Sequence, residues 1–310
     1  MVEVKNLKMS YGKREILRDI SFQIGDGKTV GLLGRNGAGK STIMNILTGY
    51  LKPREGEIYI DRIDMRKKPK QAKKHIGYLP EVPPLYKDMK VWEYLIFAAD
   101  MKGIKDKKGE AARVMELLNI ESRQYDYIRN LSKGLQQRVG FAQVLLGNPS
   151  VMILDEPLVG LDPEEKRSTR ELLRSLQKEH TIIISSHILT EIEELCNEIL
   201  ILKDGRLVLD ESMAAARRKG NRNVYKLVIK GDREEIEKCL EGYEALETVQ
   251  YVGEKEKGIF EFIGTAKNTR DIRDSIFGYL VSRKYNVYGI EKMEASLEDV
   301  FIEMNKKEDA

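Results

Sequence analysis

The chain has 310 residues, of which 33% are charged, but 53 basic and 50 acidic residues leave a net charge of only +3. This length allows two domains, and the balanced charge argues against a nucleic-acid-binding surface, which needs concentrated basic residues. No apolar run approaches the roughly 18 residues of a membrane-spanning helix, and the first residues, MVEVKNLKM, lack the features of a secretory signal. The composition therefore predicts a cytoplasmic protein that does not bind nucleic acid.

Two kinds of strand are predicted along the chain. VEVKNLKMSY, REILRDISFQI and GEIYIDR alternate apolar and polar residues, as half-exposed antiparallel strands do. KTVGLLG, SVMILDE and TIIISSH are short and almost continuously apolar, which is typical of strands buried on both faces of a parallel sheet. The predicted fold class is α/β, with a parallel sheet and an N-terminal antiparallel β subdomain. Ligands of such sheets lie beyond the carboxyl ends of the strands.

A glycine-rich turn follows the first buried strand, in the segment GLLGRNGAGKST. Its spacing favours a phosphate cradle, because glycines let backbone N–H groups point inward and the next helix presents its positive end. Lys40 is expected to reach the terminal phosphates and Ser41 to place its hydroxyl on Mg2+. A plain strand-to-helix turn with a chance lysine is the alternative. The residues predicted to bind the nucleotide here are Gly34, Asn36, Gly37, Ala38, Gly39, Lys40, Ser41 and Thr42.

Two other strand ends carry reactive side chains, since Asp155 and Glu156 end SVMILDE and His187 ends TIIISSH. Asp155 suits a metal that is held jointly with Ser41, and Glu156 can act as the general base toward an attacking water. The alternative is that the two acids merely close a strand before a turn at Pro157. His187 either contacts the γ-phosphate or orients the water, or it only caps a helix.

Residues 84–148 are predicted to be mainly helical, because VWEYLIFAADM and EAARVMELLNI carry helical apolar spacing. The segment LSKGLQQRVGFAQVLLGNP closes the stretch, with Ser132 suited to the N-cap. Ser132 and Gly134 would present a hydroxyl and bare N–H groups as a second anion site. An ordinary buried helix is the alternative.

The pattern changes after GRLVLDESMAAARRKGNR. Six further segments follow the order β-α-β-β-α-β of a ferredoxin-like unit, and SLEDVFIEMN predicts a final helix at residues 296–305. Because the part after residue 220 has no histidine and no glycine cradle, we expect it to support a dimer or to regulate the protein rather than to sense a ligand.

Five motifs in this order make the chain resemble the ATP-binding subunit of an ABC transporter. The resemblance covers residues 1 to about 220, and the remainder is similar to the extra C-terminal domain of an exporter branch whose ATPase and permease are separate chains. The motifs are the P-loop at 34–42, the signature LSKGLQQR at 131–138, ILDEP at 153–157, GLDP at 160–163 and SSH at 185–187.

The resemblance implies a P-loop ATPase domain at residues 1–220, with a helical arm at about 84–148. It also implies a small C-terminal α+β accessory domain at residues 221–310. The ATPase would lie in the cytoplasm, held at the inner face of the cell membrane by an integral membrane permease. It would form a homodimer, or pair with a similar ATPase subunit, in a head-to-tail arrangement around two ATP molecules.

Individual site residues also follow from the resemblance. Tyr11 matches the aromatic residue that stacks on adenine. Ser132 and Gly134 match residues that grip the γ-phosphate bound to the other subunit. Asp162 matches the acid of the GLDP turn that crosses the dimer interface.

Three positions depart from the family pattern. Glu81 stands where a glutamine usually meets Mg2+ and senses the permease, and Lys133 and Leu135 replace a glycine and a glutamine of the signature. A carboxylate at Glu81 can still bind the metal, but its charge near the phosphates would slow hydrolysis or tighten the metal dependence. Lys133 either adds attraction for phosphate or faces solvent.

The predicted activity is therefore ATP hydrolysis with Mg2+, in which dimer closure and a water activated by Glu156 power a membrane exporter. A soluble ABC ATPase that acts on ribosomes or DNA without a permease is the alternative. Pro83, Pro84, Tyr86 and Trp92 are expected to shape a groove for a cytoplasmic helix of the permease, although Trp92 could equally belong to the core. The sequence does not identify the transported substrate.

Overall fold

The computed structural model describes residues 1–219, 223–268, 270–293, 296–298 and 300. The chain divides into two compact units, Met1–Met213 and Ala214–Ala310. The boundary expected between residues 220 and 221 falls outside the described residues, as does most of the helix expected at 296–305.

The described residues form fourteen strands and ten α-helices. The strands are β1 (Val2–Tyr11), β2 (Arg14–Ile24), β3 (Thr29–Gly34), β4 (Glu55–Ile60), β5 (Ile63–Asp64), β6 (Ile76–Leu79), β7 (Val151–Asp155), β8 (Thr181–Ser185), β9 (Glu198–Lys203), β10 (Arg206–Ser212), β11 (Val224–Lys230), β12 (Leu246–Glu256), β13 (Ile259–Ala266) and β14 (Asn286–Met293). The helices are α1 (Lys40–Leu47), α2 (Pro69–Lys73), α3 (Val91–Met101), α4 (Lys107–Leu117), α5 (Lys133–Leu145), α6 (Pro163–Leu176), α7 (Leu189–Leu195), α8 (Met213–Lys219), α9 (Arg233–Glu241) and α10 (Arg273–Ser282). No helix in the described ranges has the length and apolar character needed to cross a bilayer.

A six-stranded sheet in the order β10-β9-β3-β8-β7-β6 forms the centre of the first unit. The strands from β9 to β6 run parallel, and β10 pairs antiparallel with β9. β3, β7 and β8 are buried almost throughout, as their continuous apolar runs predict. Their carboxyl ends share one edge of the sheet, where the P-loop, Glu156 and His187 follow. The predicted α/β class with a parallel sheet is confirmed.

A second, antiparallel sheet has the order β2-β1-β4-β5. Buried and exposed positions alternate along β1 and β2, with irregularities where the register shifts. The buried side chains join those of α1 and β3 in one apolar cluster that includes Leu17, Ile43 and Met44. Each fully buried aliphatic side chain contributes about 1.5–3 kcal/mol, so this core seats α1 and the preceding loop on both sheets.

Helices α3, α4 and α5 form the helical arm. Lys102 follows α3 and holds the C-terminal end of α5, because its ammonium donates to three backbone carbonyl oxygens. These belong to Gln143 at 2.8 Å, Val144 at 3.2 Å and Leu146 at 2.9 Å. A cation at this position complements the negative end of the helix dipole, while burial lowers the pKa of Lys102 to about 8.

The second unit contains a four-stranded antiparallel sheet in the order β12-β13-β11-β14. With α9 and α10 its elements follow the chain order β-α-β-β-α-β, which is the predicted ferredoxin-like order. Alternate side chains of β11 are buried against apolar side chains of the two helices: Tyr225, Leu227, Ile229, Ile236, Leu240, Ile276 and Leu280.

The hairpin between β9 and β10 generates the first testable prediction. Gly205 has a φ of +75°, and a Cβ there would lie 2.2 Å from the carbonyl oxygen of Ile16. The carbonyl of Gly205 also accepts the backbone N–H of Arg18 at 2.7 Å. The backbone at Ile16 and the backbone at Gly205 cannot move apart without breaking this hydrogen bond. We therefore expect Gly205→Ala to lower the free energy of unfolding, measured by urea titration, by about 3 kcal/mol.

Gly12→Ala provides the matched control. Gly12 has a φ of +59°, but a Cβ there would meet nothing within 4 Å. Its substitution should cost only the strain of the left-handed backbone, about 1 kcal/mol. Equal losses for the two variants would contradict a role for the close approach at Gly205.

Candidate functional site

The P-loop runs from the end of β3 at Gly34 to the start of α1 at Lys40. Gly37 and Gly39 have φ values of +83° and +110°, which strain any residue with a Cβ. A Cβ at Gly39 would lie 2.6 Å from Leu17 Cδ2, whereas a Cβ at Gly37 would meet nothing within 4 Å. Glycine is therefore required at Gly39 by both conformation and packing, and at Gly37 by conformation alone.

The first turn of α1 follows this loop directly. Gly39 occupies the N-cap position, so no side chain caps the helix, and the first turn of α1 contains no acidic residue. The positive end of the helix dipole is thus unopposed by side chains of α1 and favours an anion. Ser41 and Thr42 add hydroxyl groups in the same turn.

Lys40 bends back across the loop. Its ammonium donates to the carbonyl oxygen of Gly34 at 2.6 Å. Burial lowers the pKa of Lys40, while the carboxylates of Glu156 and Asp155 act in the opposite direction. The structure therefore brings the lysine of the P-loop and both acids of the neighbouring strand end into one electrostatic environment.

The register of β7 and β8 places Asp155 opposite Ser185. The hydroxyl of Ser185 donates to Asp155 Oδ1 at 2.5 Å, and its oxygen accepts the backbone N–H of Glu156 at 3.1 Å. Glu156 has a left-handed φ of +49°, a conformation that costs about 1–2 kcal/mol in a non-glycine residue. Ser185 thus fixes the metal-binding candidate Asp155 and the turn that carries the general-base candidate Glu156. Its role was not predicted, although its position at the end of a buried strand was visible.

Glu156 and His187 lie in direct contact. Glu156 Oε2 is 2.9 Å from His187 Nδ1, and the side chains are 14% and 60% exposed, respectively. Burial raises the pKa of Glu156, while His187 acts to lower it. A carboxylate with increased proton affinity beside an imidazole that solvent can reach is suited to general-base chemistry.

The signature and GLDP residues lie together at the amino ends of α5 and α6. Ser132 caps α5 by accepting the N–H of Leu135 at 3.2 Å, and Asp162 caps α6 by accepting the N–H of Glu165 at 2.8 Å. A Cβ at Gly134 would lie 1.9 Å from Glu165 Oε1, so the two helix ends are in close contact. The described partners of Ser132, Gly134 and Asp162 belong to the first turns of α5 and α6 and not to the P-loop of the same chain.

Lys133 is exposed and lies along the GLDP turn, since a Cβ at Gly160 would be 1.9 Å from its ammonium nitrogen. Tyr11 ends β1 beside the hairpin turn and is 51% exposed. Glu81 follows β6 and is also exposed. No hydrogen bond or ion pair within the described ranges joins Tyr11 or Glu81 to the P-loop.

The donor groups fit a magnesium nucleotide. Nowhere in the described part of the chain do three His, Cys, Asp or Glu side chains gather as a metal site. Mg2+ bound with phosphates needs only one or two carboxylates, because phosphate oxygens and waters complete its octahedron. Asp155 and the hydroxyl of Ser41 would supply this donor set, and the bare backbone of the P-loop suits the phosphates.

A P-loop after a central parallel strand, with a carboxylate pair at the end of another strand of that sheet, defines a P-loop nucleoside triphosphatase. A family model described as ABC transporter matches residues 17–159. The chain belongs to the family of ABC transporter ATP-binding proteins, since it is 33% identical over 307 residues to the uncharacterized member YhcH of Bacillus subtilis strain 168. That match covers 98% of this chain and 95% of the relative.

Other relatives agree with this assignment. The linearmycin resistance ATP-binding protein LnrL of the same strain is 29% identical, with 98% of both chains covered. A solved ATP-binding subunit of an ABC transporter is 32% identical with a TM-score of 0.64, over 71% of this chain and 92% of that chain. The dimeric cassette MJ0796 bound to ADP and Pi is 26% identical with a TM-score of 0.61, over 69% and 99%. The predicted family and its ATPase activity are confirmed.

The buried carboxylate of Glu156 generates the second prediction. Because its pKa is raised in the folded protein, the native state holds a proton to higher pH than the unfolded chain does. The folded protein therefore loses stability as pH rises from the usual glutamate pKa of about 4.3 through the higher folded value. Glu156→Gln abolishes this loss, so its Tm without nucleotide should exceed that of the parent at pH 7, by a margin that vanishes below about pH 4.

Glu171→Gln serves as the control, because the side chain of Glu171 is 67% exposed. Its Tm should follow that of the parent at every pH. A Glu156→Gln protein with the parental Tm across the whole range would contradict a cost of burying the carboxylate.

Proposed function

We propose that this ATPase subunit powers a membrane exporter, and that two copies, or one copy and a similar subunit, close head to tail around two Mg-ATP molecules. The observation that carries the proposal is the contact of Glu156 with His187, beside Lys40 and the P-loop. An anion cradle and a poised base at one sheet edge are what hydrolysis of a terminal phosphate requires.

In this proposal the P-loop amides, Lys40 and Thr42 hold the phosphates, while Ser41, Asp155 and Glu81 hold Mg2+. The metal supplies neutralisation of phosphate charge. Glu156 accepts the proton of the attacking water, and His187 contacts the γ-phosphate or orients that water. The raised pKa of Glu156 strengthens it as a proton acceptor. The other proposed nucleotide contacts in the same subunit are Gly34, Asn36, Gly37, Ala38, Gly39 and Tyr11.

The second half of each site comes, in this proposal, from the opposing subunit. Ser132 and Asp162 are the exposed N-caps of α5 and α6, and Gly134 lies buried in the first turn of α5. The signature residues then contact the γ-phosphate held by the partner's P-loop. The dimeric state named for MJ0796 supports this arrangement. Hydrolysis becomes conditional on closure, because neither subunit alone has a complete site.

Export through a separate permease is supported by the names of relatives. LnrL is named for linearmycin resistance and matches 98% of this chain. SrtF of Streptococcus pyogenes is named for lantibiotic transport and is 38% identical over 68% of this chain and 90% of its own length. We place the subunit in the cytoplasm, at the inner face of the membrane, with its second unit supporting the dimer. A ribosomal or DNA-directed role is not favoured by any of these names.

The arm offers a surface for the permease. Tyr86 is 56% exposed and its ring makes edge contacts with those of Tyr94 and Phe97, with centroids 6.1 and 5.5 Å apart. A groove of about 380 Å³ is lined by Tyr78, Pro84, Lys102 and Gln143 among others, but not by Pro83, Tyr86 or Trp92. Tyr86 lies beside it through Tyr94, whose hydroxyl bonds to Gln143. Trp92 is only half-buried. We propose that a cytoplasmic helix of the permease occupies this groove.

Two substitutions separate binding from hydrolysis. Lys40→Ala should weaken ATP binding about tenfold or more, because a charged phosphate contact is lost. Glu156→Gln should retain binding but lower kcat at least about 100-fold, and ATP-loaded dimers should then elute early in size-exclusion chromatography. Calorimetry measures ATP binding, and phosphate release measures turnover. Lys70→Ala is the control, because Lys70 is exposed. Parental turnover by Glu156→Gln would refute its assignment as the base.

Docking on the arm is tested by capture of a co-expressed candidate permease. Tyr86→Ala should reduce the captured fraction several-fold, because an exposed aromatic anchor is removed. Tyr125→Ala is the matched control, since Tyr125 lies on the same arm and is 69% exposed. Capture that is equal for both variants and the parent would exclude Tyr86 from the interface.

A further inference from the structure

Two ion pairs join α6 to α7, about one helical turn apart. Lys166 Nζ is 3.0 Å from Glu191 Oε1, and the side chains are 25% and 8% exposed, respectively. One turn further along both helices, the guanidinium of Arg170 bonds to the carboxylate of Glu194, which is 45% exposed. The two pairs join the same helices and their cations are 25% and 27% exposed, but only the carboxylate of the first pair is withdrawn from solvent.

Glu191 also connects this pair to the segment that carries His187. Glu191 Oε2 accepts the hydroxyl of Ser186 at 3.0 Å, and the oxygen of Ser186 accepts the backbone N–H of Ile188 at 3.1 Å. Ser186 is only 2% exposed. The residues on both sides of His187 are therefore held by one hydroxyl, which Glu191 orients.

The other end of the pair reaches the GLDP turn. Lys166 lies in the first turn of α6, and its backbone N–H bonds to the carbonyl of Asp162 at 2.9 Å. Asp162 is the N-cap of the same helix. A displacement of the GLDP turn moves the beginning of α6, and Lys166 moves with it.

Stability alone is a weak reason to place the buried carboxylate of Glu191 beside Lys166. Removing two charges from water offsets most of their attraction, so apolar side chains of similar volume often stabilise a protein as well or better. A buried carboxylate does offer direction, because its two oxygens bind one partner each in fixed positions. Glu191 uses them for an ammonium on α6 and for a hydroxyl beside His187.

We propose that Glu191 is a positioning residue that transmits the position of the GLDP turn, through Lys166 on one side and Ser186 on the other, to His187. The inference rests on the role of His187 in hydrolysis proposed above. In the closed dimer proposed above, the opposing subunit would set the GLDP turn, and the chain Lys166–Glu191–Ser186 would then set the imidazole against Glu156. The link makes hydrolysis sensitive to closure, although none of its three residues, Lys166, Glu191 and Ser186, is proposed to touch the nucleotide.

The test is made in the full-length protein. It compares variants of the chain Lys166–Glu191–Ser186 with variants of the outer, more exposed pair, Arg170 and Glu194. Ser186→Ala and Glu191→Gln should each lower kcat about tenfold while the KM for ATP stays within about twofold, because positioning is lost and binding is kept. Their combination should be no worse than either alone, since both interrupt one chain of contacts. Glu194→Gln and Arg170→Met, which break the outer pair, should keep kcat within about twofold.

Histidine-labelled NMR gives a readout that a merely structural role would not move. The chain has only three histidines, and a His187→Gln sample assigns the signal of interest. Ser186→Ala should shift or broaden the His187 signals and leave those of His75 and His180 in place. Ser186→Ala removes a single oxygen, so it keeps the test available if Glu191→Gln fails to fold.

The outcomes separate this inference from the proposal that it rests on. If His187→Gln hydrolyses ATP at the parental rate, the role of His187 is wrong, and the inference falls with it. If His187→Gln is inactive but Ser186→Ala keeps the parental kcat, or loses no more than the outer-pair variants, only the link through Glu191 is refuted. Unmoved His187 signals in Ser186→Ala would refute it as well.

Discussion

The site depends on one hydroxyl between two strand ends. Because β7 and β8 run parallel with Asp155 opposite Ser185, the serine oxygen can donate to the carboxylate and accept from the next backbone N–H at once. The first bond orients the proposed metal ligand. The second holds Glu156 in a conformation that it would otherwise avoid. If β7 slipped by one residue against β8, the side chains of β7 would change face and Asp155 would no longer lie opposite Ser185.

Several features of this site lower the free energy of unfolding. Glu156 combines a left-handed backbone with a buried carboxylate, and Lys40 is a cation whose burial lowers its pKa. Such features persist only where the surroundings over-determine them. Here the surroundings are the buried strands β3, β7 and β8 and the apolar cluster beneath α1. The free energy gained in this core offsets what the edge of the sheet loses.

Much of the fold could be predicted because its signals are local. Continuous apolar runs identified the buried strands, alternation identified β1 and β2, and the spacing of Gly34, Gly39 and Lys40 identified the P-loop. The contacts of Ser185 and Glu191 could not be predicted in the same way. Asp155 lies 30 positions from Ser185 and Lys166 lies 25 positions from Glu191, and register and helix packing bring these pairs together. The positive φ of Glu156 likewise has no local signal, since glutamate has no preference for that region.

The position of Lys102 has a consequence for the helix that carries the signature residues. It fastens the carboxyl end of α5 through three carbonyls, whereas the signature residues occupy the amino end. Thirteen residues separate the two ends, a rod of about 20 Å at the usual rise of an α-helix. Since Lys102 also lines the groove, one side chain joins the groove to the end of α5 that lies opposite Ser132.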